Sequence, residues 1–335
     1  MSTKKKAITM GVHVASVCLL ALSVQSALAQ QSLPVSAAEG GNLWFVELAD
    51  KPVASGNTKA SVTAAQNNFR KAAKEAEVQF NERRSFDTLF NGFSVEISPE
   101  QRAKLMQIPG VKAIYPVEVI QAPSADFSAG GSAADMATAI SMTGADTAQN
   151  VLGFTGTGIK VAVMDTGIDI DHPDFGGNGS NGSTAFPTTR IAYGYDFVGD
   201  AFNADSSSPS YNPVTTPDNN PDDCGGHGTH VAGIVGANGT VKGVAPDVTF
   251  GAYRVFGCSG STTADVMIAA MERAYADGMD VLNMSIGSSF QWPQYPTAQA
   301  ADRLVEKGMV VVASIGNSGA SGLYSAGAPG LGEKV

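Results

Sequence analysis

Cysteine is scarce in this 335-residue chain, which has only Cys18, Cys224 and Cys258. So few exclude a disulfide-dense scaffold and a cysteine-rich metal cluster. Tryptophan occurs twice and histidine four times, so any histidine set in a polar, glycine-rich motif is a candidate for chemistry. Long apolar runs are missing after the first two dozen residues, which leaves no second stretch able to span a bilayer. Basic side chains are sparse from Ala122 onward, with 8 Lys plus Arg against 21 Asp plus Glu, whereas the first 121 residues carry 13 bases and 10 acids. An acidic carboxy-terminal half argues against nucleic acid as a partner and leaves carboxylates for a hard cation such as calcium. A solvated acidic surface accounts for most of those charges.

Residues 1–29 have the layout of a cleaved export signal: Lys4, Lys5 and Lys6, an apolar run from Ala7 to about Val24, then Ala27-Leu28-Ala29 before Gln30. Thr9, His13 and Ser16 interrupt the run, which weakens a membrane-anchor reading, and bulky Val17 before Cys18 disfavours a lipoprotein site. The processed protein is therefore expected outside the cytoplasmic membrane, extracellular or periplasmic, with no membrane attachment. Loss of Cys18 leaves Cys224 and Cys258 in polar surroundings, where a disulfide bracing the loop to His227 is expected over two buried thiols.

Strand and helix signals alternate over residues 30–121. Leu43 to Leu48 reads as a strand, Ser61 to Gln79 as a helix and Phe90 to Ile97 as a strand; Ser98-Pro99-Glu100 opens a helix, and Val111 to Val119 is a further strand. The order suggests a small α+β domain of the split β-α-β, ferredoxin-like kind. Residues 122–150, rich in Ala, Ser and Gly as far as Thr147, read as an exposed linker open to proteolysis. In residues 151–335, Ile159 to Met164 is an almost continuous apolar run, as expected of a strand buried on both faces of a parallel sheet. Gly176 to Pro221 reads mostly as surface loop around an apolar stretch at Ile191 to Val198. Helices over His227 to Gly236, Thr263 to Asp277 and Thr297 to Lys307 then alternate with strands over Val248 to Phe256, Val281 to Ser285 and Met309 to Ser314. The fold class is α/β, a doubly wound and mostly parallel sheet preceded by the small α+β domain. Ligands of such sheets bind at the carboxyl ends of the strands, where Asp165, Ser285 and Asn317 fall.

Asp165-Thr166-Gly167 closes one of those strands, and Gly226-His227-Gly228-Thr229-His230 opens a helix of small residues. A serine hydroxyl becomes a nucleophile when a base lies within hydrogen-bond reach and a buried carboxylate fixes the tautomer of that base. His227 suits the first role and Asp165 the second, although Asp165 alone would read as a turn residue. His230 has His-x-x-His spacing without the glutamate of a zincin, and reads as scaffold. In Ser314-Ile315-Gly316-Asn317-Ser318-Gly319 the Asn317 amide can donate to an oxygen that turns negative in a tetrahedral intermediate; alone it would read as a turn former. Asp171, Asp174, Asp218, Asp222 and Asp223 crowd the intervening loops and are candidates for a structural calcium ion, with plain surface charge as the alternative. Catalysis of this kind requires no cofactor.

Taken in order, the three motifs resemble those of the subtilisin-like serine proteases, or subtilases, over nearly everything from Leu43 to Val335. The resemblance implies a secreted serine endopeptidase precursor acting on polypeptide substrates. Asp165 and His227 would be catalytic and Asn317 the oxyanion donor. Ser285, Ile286 and Gly287 would bind the substrate strand, Ser259, Gly260 and Ser261 would oppose them, and Ser314, Ile315 and Gly316 would line the specificity pocket. Leu43 to Val119 is similar to the propeptide of such enzymes, a folding aid and intramolecular inhibitor. Cys224 to His227 and Phe256 to Cys258 resemble the larger secreted members, which often insert a protease-associated domain. No Gly-Thr-Ser occurs in the 335 residues, so the nucleophile is expected beyond Val335 and the chain as given is expected to be an inactive fragment. The competing expectation is a non-catalytic binding protein whose first domain inhibits other proteases.

Overall fold

The computed structural model describes residues 41–123 and 136–335; the expected export signal and its cleavage point lie outside the described residues. The first described domain runs β1 (Leu43–Leu48), α1 (Lys59–Glu75), β2 (Asn81–Phe86), β3 (Gly92–Glu96), α2 (Pro99–Leu105) and β4 (Val111–Pro116). Its strands form an antiparallel sheet in the order β2-β3-β1-β4, as the ferredoxin-like expectation requires. Alternation along β1 divides its apolar residues between two cores. Trp44, Val46 and Leu48 pack with Phe69 of α1 and Leu105 of α2, whereas Phe45 joins Phe86 and Phe90 in the core of the larger domain. Both faces of the small sheet are thus covered, one by its own helices and one by the rest of the chain.

Three expectations for this part need correction. The first helix runs from Lys59 to Glu75 because the Thr58 side chain caps it, accepting from Ser61 N at 3.2 Å, and because Glu77 turns the backbone to φ 54°. β2 was not anticipated. Its residues Asn81-Glu82-Arg83-Arg84-Ser85-Phe86 show no apolar alternation, since only Phe86 is buried and the strand lies at an edge. The expected strand from Val111 to Val119 breaks at Val117-Glu118, and β5 (Val119–Gln121) leaves the small sheet altogether. The linker reading also fails in part. Residues 136–150 hold α3 (Met136–Thr143) and α4 (Ala145–Asn150), fixed by burial of Ile140, Ala145 and Gln149, too few apolar positions to show a period.

The larger domain contains β6 (Lys160–Asp165), β7 (Ile191–Asp196), α5 (His227–Gly236), β8 (Thr249–Arg254), β9 (Ser261–Thr263), α6 (Ala264–Ala276), β10 (Val281–Met284), α7 (Pro296–Glu306) and β11 (Val310–Ala313). Five of these strands make a parallel sheet, β11-β10-β6-β8-β7. Alternation along β6 again assigns the layers: Val161 and Val163 face a core shared with Val231 and Ala232 of α5, while Ala162 and Met164 face one shared with α6 and α7. Helices on both faces make the sheet doubly wound, as the sequence suggests. β6 sits in the middle, flanked by β10, so the carboxyl ends of β6, β10 and β11 open on one edge.

Candidate active site

Asp165 ends β6 fully buried, and His227 begins α5, partly buried above it. His227 Nδ1 and Asp165 Oδ1 are 2.8 Å apart, and Oδ1 also accepts from Thr166 N at 2.8 Å. Asp165 Oδ2 is buried without a donor among the described residues. Burial raises the Asp165 carboxyl, and the hydrogen bonds from His227 and Thr166 offset part of that rise. The hydrogen bond to Asp165 raises the His227 imidazole above its ordinary value, while burial pulls the other way. Among the described residues, Asp165 is the only hydrogen-bond partner of the imidazole.

The glycine and threonine residues of the motif explain why these two side chains meet. Gly228 packs so closely on the turn after Asp165 that a Cβ there would lie 2.1 Å from Gly167 O, and its N–H donates to Thr166 Oγ1 at 2.8 Å. Buried Gly228, Val231, Ala232 and Gly236 form the stripe by which α5 approaches the sheet. Gly226 offers no side-chain cap to this helix. Asp223 replaces it, accepting from Thr229 N at 3.0 Å, Thr229 Oγ1 at 2.5 Å, Gly225 N at 2.8 Å and Gly226 N at 2.9 Å. In the sequence Asp223 reads as one candidate for calcium or as plain surface charge, and its capping role is visible only once the helix start is placed.

The other acidic candidates are similarly engaged. Asp171 accepts from Gly182, Ser183 and Thr184 N, Asp174 from Thr240 and Val241 N, Asp222 from Ile170 N and Asp218 from Asn220 N. Among the described residues the only three-ligand cluster is Asp200, Cys224 and Cys258, and its cysteines are joined to each other. Among the described residues no three of these five carboxylates come together, and each accepts a backbone N–H. The Cys224–Cys258 disulfide expected from the sequence is present, and ties the loop before His227 to the residue before Ser259. His230 lines a cavity of about 450 Å³ with His172 and Phe175.

Ser285, Ile286 and Gly287 follow β10, and Ser314, Ile315 and Gly316 follow β11, so the parallel sheet places both sets beside the end of β6. Ser314 N donates to Met284 O at 3.0 Å and ties the two together. Asn317 is exposed in the turn beyond, and its side-chain amide makes no hydrogen bond among the described residues. Of Ser259, Gly260 and Ser261, the last two are already engaged by the small domain, whereas Ser259 is exposed. β5 pairs antiparallel with β9 through Val119 to Thr263, Ile120 to Thr262 and Gln121 to Ser261, and Ala122 N donates to Gly260 O at 3.0 Å. Gly260 needs to be glycine, with φ at 99° and a would-be Cβ 2.2 Å from the Asn203 side chain.

A doubly wound sheet thus carries a buried Asp–His pair at the end of its central strand, and the tail of a small antiparallel domain pairs with the strand before α6. Residues 156–335 match the Subtilase family and residues 45–122 match the Peptidase inhibitor I9 family. The chain belongs to the subtilases. It is 39% identical to the minor extracellular protease Vpr of Bacillus subtilis over 81% of this chain and 31% of that protein. It is 38% identical to subtilisin DY of Bacillus licheniformis over 51% of each, and 34% identical to an alkaline protease of Alkalihalobacillus alcalophilus over 75% of this chain and 55% of that one. The chain thus spans between 31% and 55% of the length of these relatives. The fold is shared with the epidermin leader peptide processing serine protease of Staphylococcus aureus, with a TM-score of 0.56, 21% identity, and coverage of 83% of this chain and 61% of that one.

Proposed function

We propose that the chain is the inhibitory propeptide and the first part of the catalytic domain of an exported subtilisin-like serine endopeptidase. The hydrogen bond between Asp165 and His227 at the end of β6 is the observation that carries the reading. In this mechanism His227 Nε2 takes the proton of a serine hydroxyl supplied from beyond Val335 as that oxygen attacks a peptide carbonyl. Asp165 holds the imidazole with Nδ1 protonated and stabilises the imidazolium, which then protonates the leaving amine. The Asn317 amide donates to the oxyanion, a contribution on the order of 3 kcal/mol to the transition state.

Substrate would lie extended between Ser259, Gly260 and Ser261 on one side and Ser285, Ile286 and Gly287 on the other, with one side chain between Ser314, Ile315 and Gly316. Pairing of β5 with β9 supports this, because the tail of the small domain already lies there as an added strand. Residues 30–121 then act as an inhibitor that blocks the site from within, and residues 1–335 alone are inactive for want of the nucleophile. No cofactor enters the chemistry. A fluorophosphonate serine probe applied to the chain extended through its downstream residues, after the small domain has been cut away and removed, tests the reading. Labelling is expected, and His227→Ala should slow it by on the order of 10³-fold or more; labelling unchanged by that substitution refutes the assignment.

A further inference from the structure

Consecutive residues of a strand point to opposite faces, yet Arg83 and Arg84 both reach Asp265, with their Nε atoms 3.4 Å and 3.9 Å from Oδ2. The register explains it. Glu82 pairs with Val95 and Arg84 with Ser94, so Arg83 is an extra residue in β2, as in a β-bulge, and the bulge re-aims its side chain. Ser94 Oγ donates to the same Oδ2 at 2.8 Å, while Oδ1 accepts from Thr263 Oγ1 at 2.5 Å and Val266 N at 3.1 Å. Asp265 itself, in the first turn of α6, has no solvent exposure. Burial alone would raise its carboxyl; Arg83 and Arg84 outweigh burial and hold it below the usual carboxylate range. The arginines keep about a fifth of their side chains in solvent, at 21% and 22%. The cluster therefore joins a wholly buried anion of the larger domain to cations of the small one that keep a partial contact with solvent.

We propose that Asp265 is the specificity determinant of this interface: it admits the small domain of this chain, which brings two guanidinium groups and a hydroxyl to one spot, and rejects an inhibitor domain with uncharged side chains there. The inference rests on reading residues 41–123 as a detachable inhibitor. Discrimination comes from the penalty, since a competing domain would bury an ionised carboxylate without its cations. Leaving one member of a buried ion pair behind weakens association by about 100-fold or more. Removing the anion costs far less, because the arginines can turn to water.

The test uses the whole chain with a protease site inserted between residues 124 and 135, cut after folding, with dissociation of the two parts measured. Arg83→Met with Arg84→Met should raise the dissociation constant about 100-fold. Asp265→Asn alone should raise it by less than about tenfold, and added to the double substitution should restore most of the loss. A change below threefold in the double arginine variant, or no restoration by Asp265→Asn, overturns the inference. Urea unfolding of the uncut variants gives a second reading, in which the same rescue must appear as a coupling between the sites. Parts that never separate refute the detachable-inhibitor reading, and the coupling in the uncut chain still decides the role of Asp265.

Discussion

Glu272 offers a pH-dependent contact between the two domains whose sign and size follow from its setting. It lies on α6 and accepts from Thr88 N at 3.1 Å and Leu89 N at 2.7 Å, both in the turn between β2 and β3. Burial raises its pKa from the ordinary 4.5 to about 7, Asp87 adds to the rise, and the backbone donors of Leu89, Thr88 and Phe90 oppose it. Asp87 is in turn paired with Lys59 at 3.2 Å. Released into water, Glu272 would return to its ordinary value, so the docked state binds a proton that the free state gives up. Docking is then fully supported below pH 4.5, and the support is lost as pH rises towards 7. A tenfold change in the proton equilibrium is worth about 1.4 kcal/mol, so the whole effect is about 3 kcal/mol. Between pH 5 and pH 8 the small domain should bind roughly 50- to 100-fold more weakly. Asp265, held below the usual range, stays ionised throughout this window and adds nothing to the slope. The assay is dissociation of the cut chain across that range, with Glu272→Gln as the comparison. Glutamine keeps the acceptor for both N–H groups and removes the titration, so its profile should be flatter by the same factor. Equal slopes in the two proteins would refute the reasoning.

Replacing Cys224 and Cys258 by serine should destabilise the chain by about 3 to 4 kcal/mol on the chain-entropy account of a loop with a sequence separation of 34, and an unchanged urea midpoint would contradict this. Asp165→Asn should lower the titration midpoint of His227 followed by NMR, because the hydrogen bond to Asp165 is what raises it; a midpoint that stays or rises counts against the pair. Chelator should leave the melting temperature of the 335-residue chain unchanged, since backbone N–H groups hold Asp171, Asp174 and Asp223 in place. A fall of several degrees, reversed by calcium, would return those carboxylates to metal binding.

Much of the larger domain was legible in the sequence because its elements are buried on defined faces. β6 is apolar from Val161 to Met164, and α5 starts and ends where the small-residue pattern does, at His227 and Gly236. Asp165 and His227 were legible for a different reason: the glycines around His227 allow an approach that larger residues would block. What escaped was fixed by tertiary partners. β2 is an edge strand whose polar residues serve the interface, and α3 and α4 bury too few residues to leave a period. Asp265 and Glu272 read in the sequence like ordinary surface acids on one helix, and their partners across the interface, Arg83, Arg84, Thr88 and Leu89, lie far away in the chain. Arg83 and Arg84 gave no signal either, because a strand without a bulge would send them to opposite faces.

The central claim is that residues 41–123 occupy the strand on which substrate would lie, beside a working Asp165–His227 pair. Its most direct test is hydrolysis of a peptide substrate by the chain extended through its downstream residues, measured before and after the small domain is cut away and removed. The account predicts little hydrolysis while β5 remains paired with β9, a large rise on removal, and loss of that rise in His227→Ala. Equal rates with and without the small domain, or a rise that survives His227→Ala, would contradict it.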